Sequence, residues 1–169
     1  ETLSDYLSEL ADLILNVALE TIWPSVRGRH LETPKFAVIG YGKLGGKELG
    51  YASDLDIIFL YDDEAPEAGE VYARFAQRIN NWFNSLTSAG LLYETDLQLR
   101  PDGNSGLLVS NMAAFRDYQL HKAWVWEHQA ITRARFVAGD AAIGKAFDAI
   151  RHEVIVQPRD AGTLKTEVL

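Results

Sequence analysis

A chain of 169 residues, 47% hydrophobic and 24% charged, is long enough for one domain with a real core and extra helices. No apolar run approaches the ~20 residues of a membrane-spanning helix, and the absence of cysteine excludes disulfide scaffolds and thiolate metal sites. The formal net charge of -8 weighs against a broad nucleic-acid footprint but leaves room for a local basic pocket.

In chain order, Leu3, Leu7, Leu10, Ile14 and Val17 recur at three- and four-residue spacing, which predicts an amphipathic helix over 3–22 ended by Trp23-Pro24. Arg27 to Pro34 reads as a connector, and Phe36 to Ile39 as a short apolar strand. Gly40 to Ser53 holds five glycines and is poor material for a long helix; one short turn is expected around Lys47 to Leu49. Asp54 to Tyr61 is the second strand, and the acidic Asp62 to Glu70 reads as solvated surface. A helix follows with Val71, Phe75, Ile79, Trp82, Phe83 and Leu86 on one side, ended by Ser88-Ala89-Gly90. Leu91 to Leu99 is a third strand, stopped by Pro101 and the turn residues Asp102 to Ser105, and Leu107 to Ser110 a short fourth. From Met112 the pattern is helical to about Glu153, with a break at Ala138-Gly139-Asp140. Glu1 is not a methionine and the chain ends on TLKTEVL, so a fragment of a longer protein is expected.

Chemistry concentrates between Lys35 and Asp62. Gly40-Tyr41-Gly42-Lys43-Leu44-Gly45 matches the dinucleotide-binding pattern G-x-G-x-x-G after a strand, with Asp62 or Asp63 about 20 positions on. That reading requires a substantial crossover helix whose N-terminus receives a pyrophosphate. The segment here is short and carries Gly45, Gly46 and Gly50, and the next strand opens with two carboxylates. A phosphate-cradling turn uses these features better: Gly45-Gly46 would let backbone N–H groups approach a triphosphate, and Lys43 or Lys47 would add positive charge. A purely structural glycine turn is the third reading.

Asp54 and Asp56 are two residues apart in a strand, so both point to one face, while Leu55, Ile57 and Phe59 take the other. Two like charges at the mouth of an apolar strand call for a cation, and Mg²⁺ prefers such oxygen ligands together with phosphate oxygens. On the third strand Glu94, Asp96, Gln98 and Arg100 share a face, opposite Tyr93, Thr95, Leu97 and Leu99. Beside the first pair, Asp96 would be the third carboxylate of a two-metal site, or a general base; alone it would read as a salt-bridge partner of Arg100. Arg133 and Arg135 share a predicted helical neighbourhood and would reach phosphates or a partner surface, or simply be solvated. Trp82, Trp124 and Trp126 are expected in the core, and His121, His128 and His152 in structural roles.

Gly45-Gly46, then Asp54-Leu55-Asp56, then a third acid on a later strand resembles the nucleotidyltransferase superfamily typified by DNA polymerase beta. The longer strings VIGYGKLGGKELGYASDLDIIF, YETDLQLRPDGNSGLLVS and KAWVWEHQAITRARFVAGD closely resemble the glutamine synthetase adenylyltransferase (glutamate-ammonia-ligase adenylyltransferase) family over nearly the whole chain. That resemblance implies an α+β polymerase beta-like fold, a small mixed sheet flanked by helices. It divides the chain into an N-terminal helix and connector (1–34), a nucleotidyltransferase core (35–110) and a C-terminal helical extension (111–169), packed as one domain. It further implies a cytoplasmic, Mg²⁺-dependent enzyme, with two ions and ATP as substrate, that transfers AMP to a tyrosine of glutamine synthetase. A PII-type signalling protein would act through the full-length enzyme, with no nucleic acid and no membrane involved. The strings look like the adenylylating half of the family rather than the de-adenylylating half; a silent regulatory module is the remaining alternative. By position, Asp54, Asp56 and Asp96 match the metal-binding catalytic aspartates, and Gly45, Gly46, Lys43, Lys47, Ser53 and Arg100 are the expected nucleotide-side residues. One departure stands out: where the family often has D-x-R-L-R-P, this chain has Gln98 at the first arginine and retains Arg100.

Overall fold

The computed structural model describes residues 2–50, 53–88, 94–97, 99–103 and 106–157. Helix α1 (Leu3–Ile22) starts on a capping box: the Thr2 hydroxyl accepts from the Asp5 amide, and the Asp5 carboxylate takes the Thr2 amide. A 3-10 turn at Trp23–Ser25 follows, with Pro24 at its start, as the Trp-Pro pair predicts. Then come β1 (Phe36–Gly40), α2 (Gly42–Gly45), β2 (Leu55–Tyr61), α3 (Ala68–Ser88), β3 (Thr95–Asp96) and β4 (Val109–Asn111). The chain continues through α4 (Met112–His121), α5 (Val125–Ile131), β5 (Arg135–Gly139) and α6 (Ala141–Val156).

The sheet runs β3-β2-β1-β5, with β4 also on β2. Strand β1 pairs antiparallel with β2 and β5, whereas β3 and β4 pair parallel with β2, at its start and its end respectively. The result is a mixed sheet flanked by helices, the α+β arrangement expected. The antiparallel β1–β2 pair rules out the Rossmann reading of G-x-G-x-x-G, because a dinucleotide fold joins parallel strands by a long helix.

Each face of the sheet buries its own cluster. On one side Phe36, Val38, Leu55, Ile57 and Phe59 meet α1 and α3; Phe36 lies 4.6 Å from Phe75 and 5.5 Å from Phe59 between ring centroids. On the other side Ala37, Ile39, Ile58 and Leu60 meet Phe115, Ile131, Phe147 and Ile150. Strand β2 is buried on both faces because helices cover both, which its continuous apolar tail anticipates.

Several expectations need correction. The segment from Met112 is not continuous helix: Arg135–Gly139 is strand β5 on β1, so Arg133 and Arg135 do not share a helix. Tertiary pairing with β1 outweighs a pattern that fits a buried helix equally well. The glycine segment folds its helical turn at Gly42–Gly45, earlier than Lys47–Leu49. Within the third strand only Thr95–Asp96 pair as a ladder, and Leu99–Gly103 already turn; Leu91–Tyr93, Asn104 and Ser105 lie outside the described residues. Helix α1 turns Leu7, Ala11, Leu15, Ala18 and Leu19 inward rather than Leu3, Leu10 and Val17. Trp82 packs on the core, but Trp124 and Trp126 are exposed. The acidic loop is not all solvated: Asp63 is half-buried, accepting from Tyr72 Oη (2.9 Å) and the Ala65 amide (3.0 Å) and sitting 2.6 Å from His30 Nε2.

Candidate active site

Asp54 sits just ahead of β2, exposed; Asp56 is the second residue of β2, half-buried. Side-chain alternation places Asp56 on the face of Ile58 and Leu60, toward α4–α6, at its open end. Strand β3 aligns with β2 so that Leu55 stands opposite Thr95 and Asp56 opposite Asp96. Thr95 bonds Asn80 of α3 on the far face (2.6 Å), which leaves Asp96 on the Asp56 side. The arrangement proposed from sequence, a third acid beside the first pair, is therefore met at the level of strand register. Glu94 is exposed, and its carbonyl accepts the Leu55 amide at 2.8 Å.

The electrostatics follow from this placement. Burial, then the charge of Asp96, then that of Asp54 push the Asp56 carboxyl above the usual carboxylate range, and Lys43 pulls the other way. Asp96 and Asp54 are near enough to Asp56 to oppose its charge, and carboxylate oxygens are the ligand type Mg²⁺ prefers. They are neighbours rather than a preformed cage: among the described residues no group of three or more His, Cys, Asp or Glu side chains is gathered closely enough to hold a metal ion.

Gly42 makes room for this group. Its φ is +54°, and a Cβ there would lie 2.5 Å from Asp56 Oδ2. The preceding Tyr41 amide donates to the Asp56 carbonyl at 2.7 Å, tying the turn to β2. Gly45 has a different reason to be glycine: a Cβ would meet the Arg133 carbonyl at 2.4 Å and the Gly40 carbonyl at 2.6 Å. A Cβ on Gly46 would meet the Arg133 guanidinium, which pairs with Glu48. Lys43, on α2, lies near enough to Asp56 and Glu48 to favour their charged forms slightly, and Lys47 takes a left-handed backbone at φ 55°. The Ser53 hydroxyl accepts from the Gly50 amide (2.9 Å). Arg100 folds onto its own turn, donating from Nη1 to the Leu97 carbonyl at 2.8 Å, with Nε buried and unpartnered. Gln98 lies outside the described residues. Arg135 is structural, gripping Asp12 of α1 at 2.7 and 3.0 Å and the Leu44 carbonyl at 3.1 Å.

Sequence reasoning missed a buried polar group behind the site. The Glu127 carboxylate accepts from Tyr118 Oη (2.8 Å) and the Trp124 amide (2.7 Å). His128 Nε2 meets the Gln119 carbonyl at 2.7 Å, the structural role expected of it. Tyr118 Oη also receives the Asp102 amide, and burial pushes its pKa up to about 12. This network holds the turn that follows Asp96. Its signal was the polar pair Glu127-His128 at helical positions that face the core. A cavity of about 770 Å³ lies at the other end of the sheet from these carboxylates, lined by Asn16, Trp23, Arg29, Glu32 and Asp140.

A small mixed sheet with paired carboxylates on adjacent strands after a glycine turn is consistent with a nucleotidyltransferase-like fold. The model of the glutamate-ammonia ligase adenylyltransferase family matches residues 1–150, and the chain belongs to that family. It is 65% identical over its whole length to the bifunctional glutamine synthetase adenylyltransferase/adenylyl-removing enzyme of Aromatoleum aromaticum, covering 18% of that protein. Proteins with the same description in Chromobacterium violaceum and Nitrosomonas europaea are 62% and 60% identical, again over the whole chain, which covers 19% and 18% of them. The chain thus spans about a fifth of the length of these relatives. No helix among the described residues is long and apolar enough to cross a membrane.

Proposed function

We propose that this chain is an adenylyl-transferring domain that moves AMP from ATP to a tyrosine hydroxyl of glutamine synthetase and releases pyrophosphate. The observation that carries the reading is Asp56 in register with Asp96 on parallel neighbouring strands, their charges opposing each other, in a chain of this family. Asp54, Asp56 and Asp96 would hold Mg²⁺, which when bound supplies charge neutralisation at the phosphates and Lewis-acid activation of the attacking oxygen. Lys43 adds positive charge beside Asp56, where a triphosphate would lie. Gly42 keeps the turn clear of the Asp56 carboxylate, whose Oδ2 lies against it. Alternatively to holding the metal, Asp96 would act as general base and accept the proton of the tyrosine Oη. The protein acts in the cytoplasm, under a PII-type regulator that engages the full-length enzyme.

Comparison of the full-length protein with its Asp56→Ala variant, in forward transfer from labelled ATP to glutamine synthetase and in phosphorolysis of pre-adenylylated glutamine synthetase to ADP, tests the reading. Loss of forward transfer with phosphorolysis retained supports it. Loss of phosphorolysis with forward transfer retained assigns this domain the reverse activity. Retention of both reactions in the variant marks a silent regulatory copy. Asp54→Ala and Asp56→Ala should keep the far-ultraviolet circular dichroism and lose about 10²–10³-fold in transfer rate, the usual cost of removing one element of transition-state charge stabilisation. Asp96→Asn should lose rate with the fold intact; wild-type turnover would remove Asp96 from the catalytic set.

A further inference from the structure

The backbone donors at the end of the glycine turn are already engaged. The amides of Gly45, Gly46, Lys47 and Glu48 donate to the carbonyls of Tyr41, Gly42, Leu44 and Lys43 respectively, at 2.7 to 3.3 Å. A phosphate arriving at this end of α2 therefore needs its donor from a side chain. The space that Gly46 leaves holds one. A Cβ there would lie 3.1 Å from Arg133 Cζ, so the guanidinium rests on the turn. Its partner is the Glu48 carboxylate, and the two side chains are 51% and 60% exposed.

Two features separate this pair from an ordinary surface ion pair. The first is how firmly the backbone of Arg133 is placed. Its carbonyl lies against Gly45, and its amide donates to the Ala130 carbonyl at 3.3 Å. Arg151 of α6 donates from Nε to the Ile131 carbonyl at 3.1 Å and from Nη2 to the Thr132 carbonyl. The turn is thus held from α2 and from α6, which leaves the guanidinium to change partner. The neighbouring Arg135 shows the opposite case, half-buried and bound to Asp12 through both terminal nitrogens.

The second feature is where the pair stands. Gly42 and Gly46 are the two ends of one helical turn, about 6 Å apart. Asp56 Oδ2 lies against the first and the Arg133 guanidinium against the second. Lys43, between them in the chain, favours the charged forms of both Asp56 and Glu48. One polyphosphate chain can span from the carboxylates to the guanidinium. An exposed pair with a single carboxylate adds little, so exchanging Glu48 for a more highly charged phosphate is favourable.

We propose that Arg133 binds the β- and γ-phosphates of ATP, its guanidinium leaving Glu48 for phosphate oxygens while the carboxylates face the α-phosphate. This rests on the reading of the carboxylates as an adenylyl-transfer site. In the transfer, the tyrosine oxygen bonds to the α-phosphorus and its proton passes to Asp96 or water. The bond from that phosphorus to the bridging oxygen breaks, and the electron pair leaves with the pyrophosphate. Arg133 lies where that charge collects. Glu48 holds the guanidinium over the turn between turnovers and competes with the nucleotide for it.

The test compares the full-length protein with Arg133→Ala and Glu48→Gln in forward transfer to glutamine synthetase, with Asp56→Ala alongside. Arg133→Ala should raise the KM for ATP by about 10–100-fold, the loss of charge-assisted hydrogen bonds, and leave the KM for glutamine synthetase unchanged. Glu48→Gln should lower the KM for ATP by about threefold, because the competing counter-ion is gone. A purely structural pair would move the two variants in the same direction. If Arg133→Ala fails to fold, Glu48→Gln carries the test by itself. A KM for ATP that is unchanged in Arg133→Ala, or not lowered in Glu48→Gln, would overturn the proposal, as would an equal rise in the KM for glutamine synthetase. Forward transfer retained in Asp56→Ala removes the adenylyl-transfer reading and this proposal with it. Its loss there, with the KM for ATP unmoved by Arg133→Ala, overturns this proposal alone.

Discussion

At the residue scale, the site turns on a contact between one glycine and one carboxylate. Gly42 adopts φ +54° and leaves only the space of a missing Cβ beside Asp56 Oδ2. Gly42→Ala therefore meets two penalties, a backbone conformation that L-residues adopt at cost and a clash with the group that would bind the metal. It should cost about 1–3 kcal/mol in urea denaturation. It should also weaken Mg-ATP binding by calorimetry more than a stability change of that size explains. Asp56 is held above the usual carboxylate range by burial and by its acidic neighbours, so its charge is unfavourable in the folded state. Nothing in a single-residue reading of Asp56 reveals this; it depends on Asp96 standing opposite in the sheet.

At the element scale, two contacts hold segments that sequence patterns treat separately. Gly45 touches the backbone carbonyls of Gly40 and Arg133, joining α2 to the turn before β5. Gly45→Ala pushes a methyl against two backbone atoms that no rotamer change moves, and should lower stability by about 2–3 kcal/mol by urea midpoint. The second contact is the Asp63 clasp, which ties the connector at His30 to the start of α3. Burial alone would raise the Asp63 carboxyl, but bonds from the Ala65 amide, His30 and Tyr72 prevail and hold it below its ordinary value. A depressed folded pKa adds stability that is present above the unfolded value, about 3.9, and lost as pH falls through the folded value. Asp63→Asn should therefore cost about 2 kcal/mol at pH 7. The gap between variant and parent should shrink as urea midpoints are taken at pH values falling below about 3.9, where the unfolded carboxylate protonates first and the folded one only at lower pH.

At the scale of the whole molecule, the sheet is a partition between two cores, and the carboxylates sit at one end of it. Phe36 is the hub of the α1–α3 side, packed on Phe59, Tyr72 and Phe75. Phe36→Ala should cost about 3–5 kcal/mol by chemical denaturation, the range for emptying a fully buried aromatic site. Much of this architecture was legible beforehand. The α1 boundaries, the two-sided burial of β2 and the α3 stripe through Val71, Phe75, Ile79 and Phe83 all follow from period and length. The inner face of α1 was not legible: its Ala and Leu positions bury against β5, while the larger, more regular Leu-Tyr stripe faces outward. Strand β5 was read as helix because a short apolar run flanked by helices carries no decisive period.

The sequence by itself determined the chemical inventory and the family: two aspartates opening an apolar strand, a third on a later strand, a glycine turn between strands, and strings long enough to identify relatives. These are local or linear properties, which a chain displays without folding. Tertiary structure alone decided which of those groups meet. Strand pairing set Asp56 opposite Asp96, and packing set Gly45 against the Gly40 and Arg133 carbonyls. The reason is that register and packing come from long-range burial, summed over both faces of the sheet, and no window of neighbouring residues contains that sum.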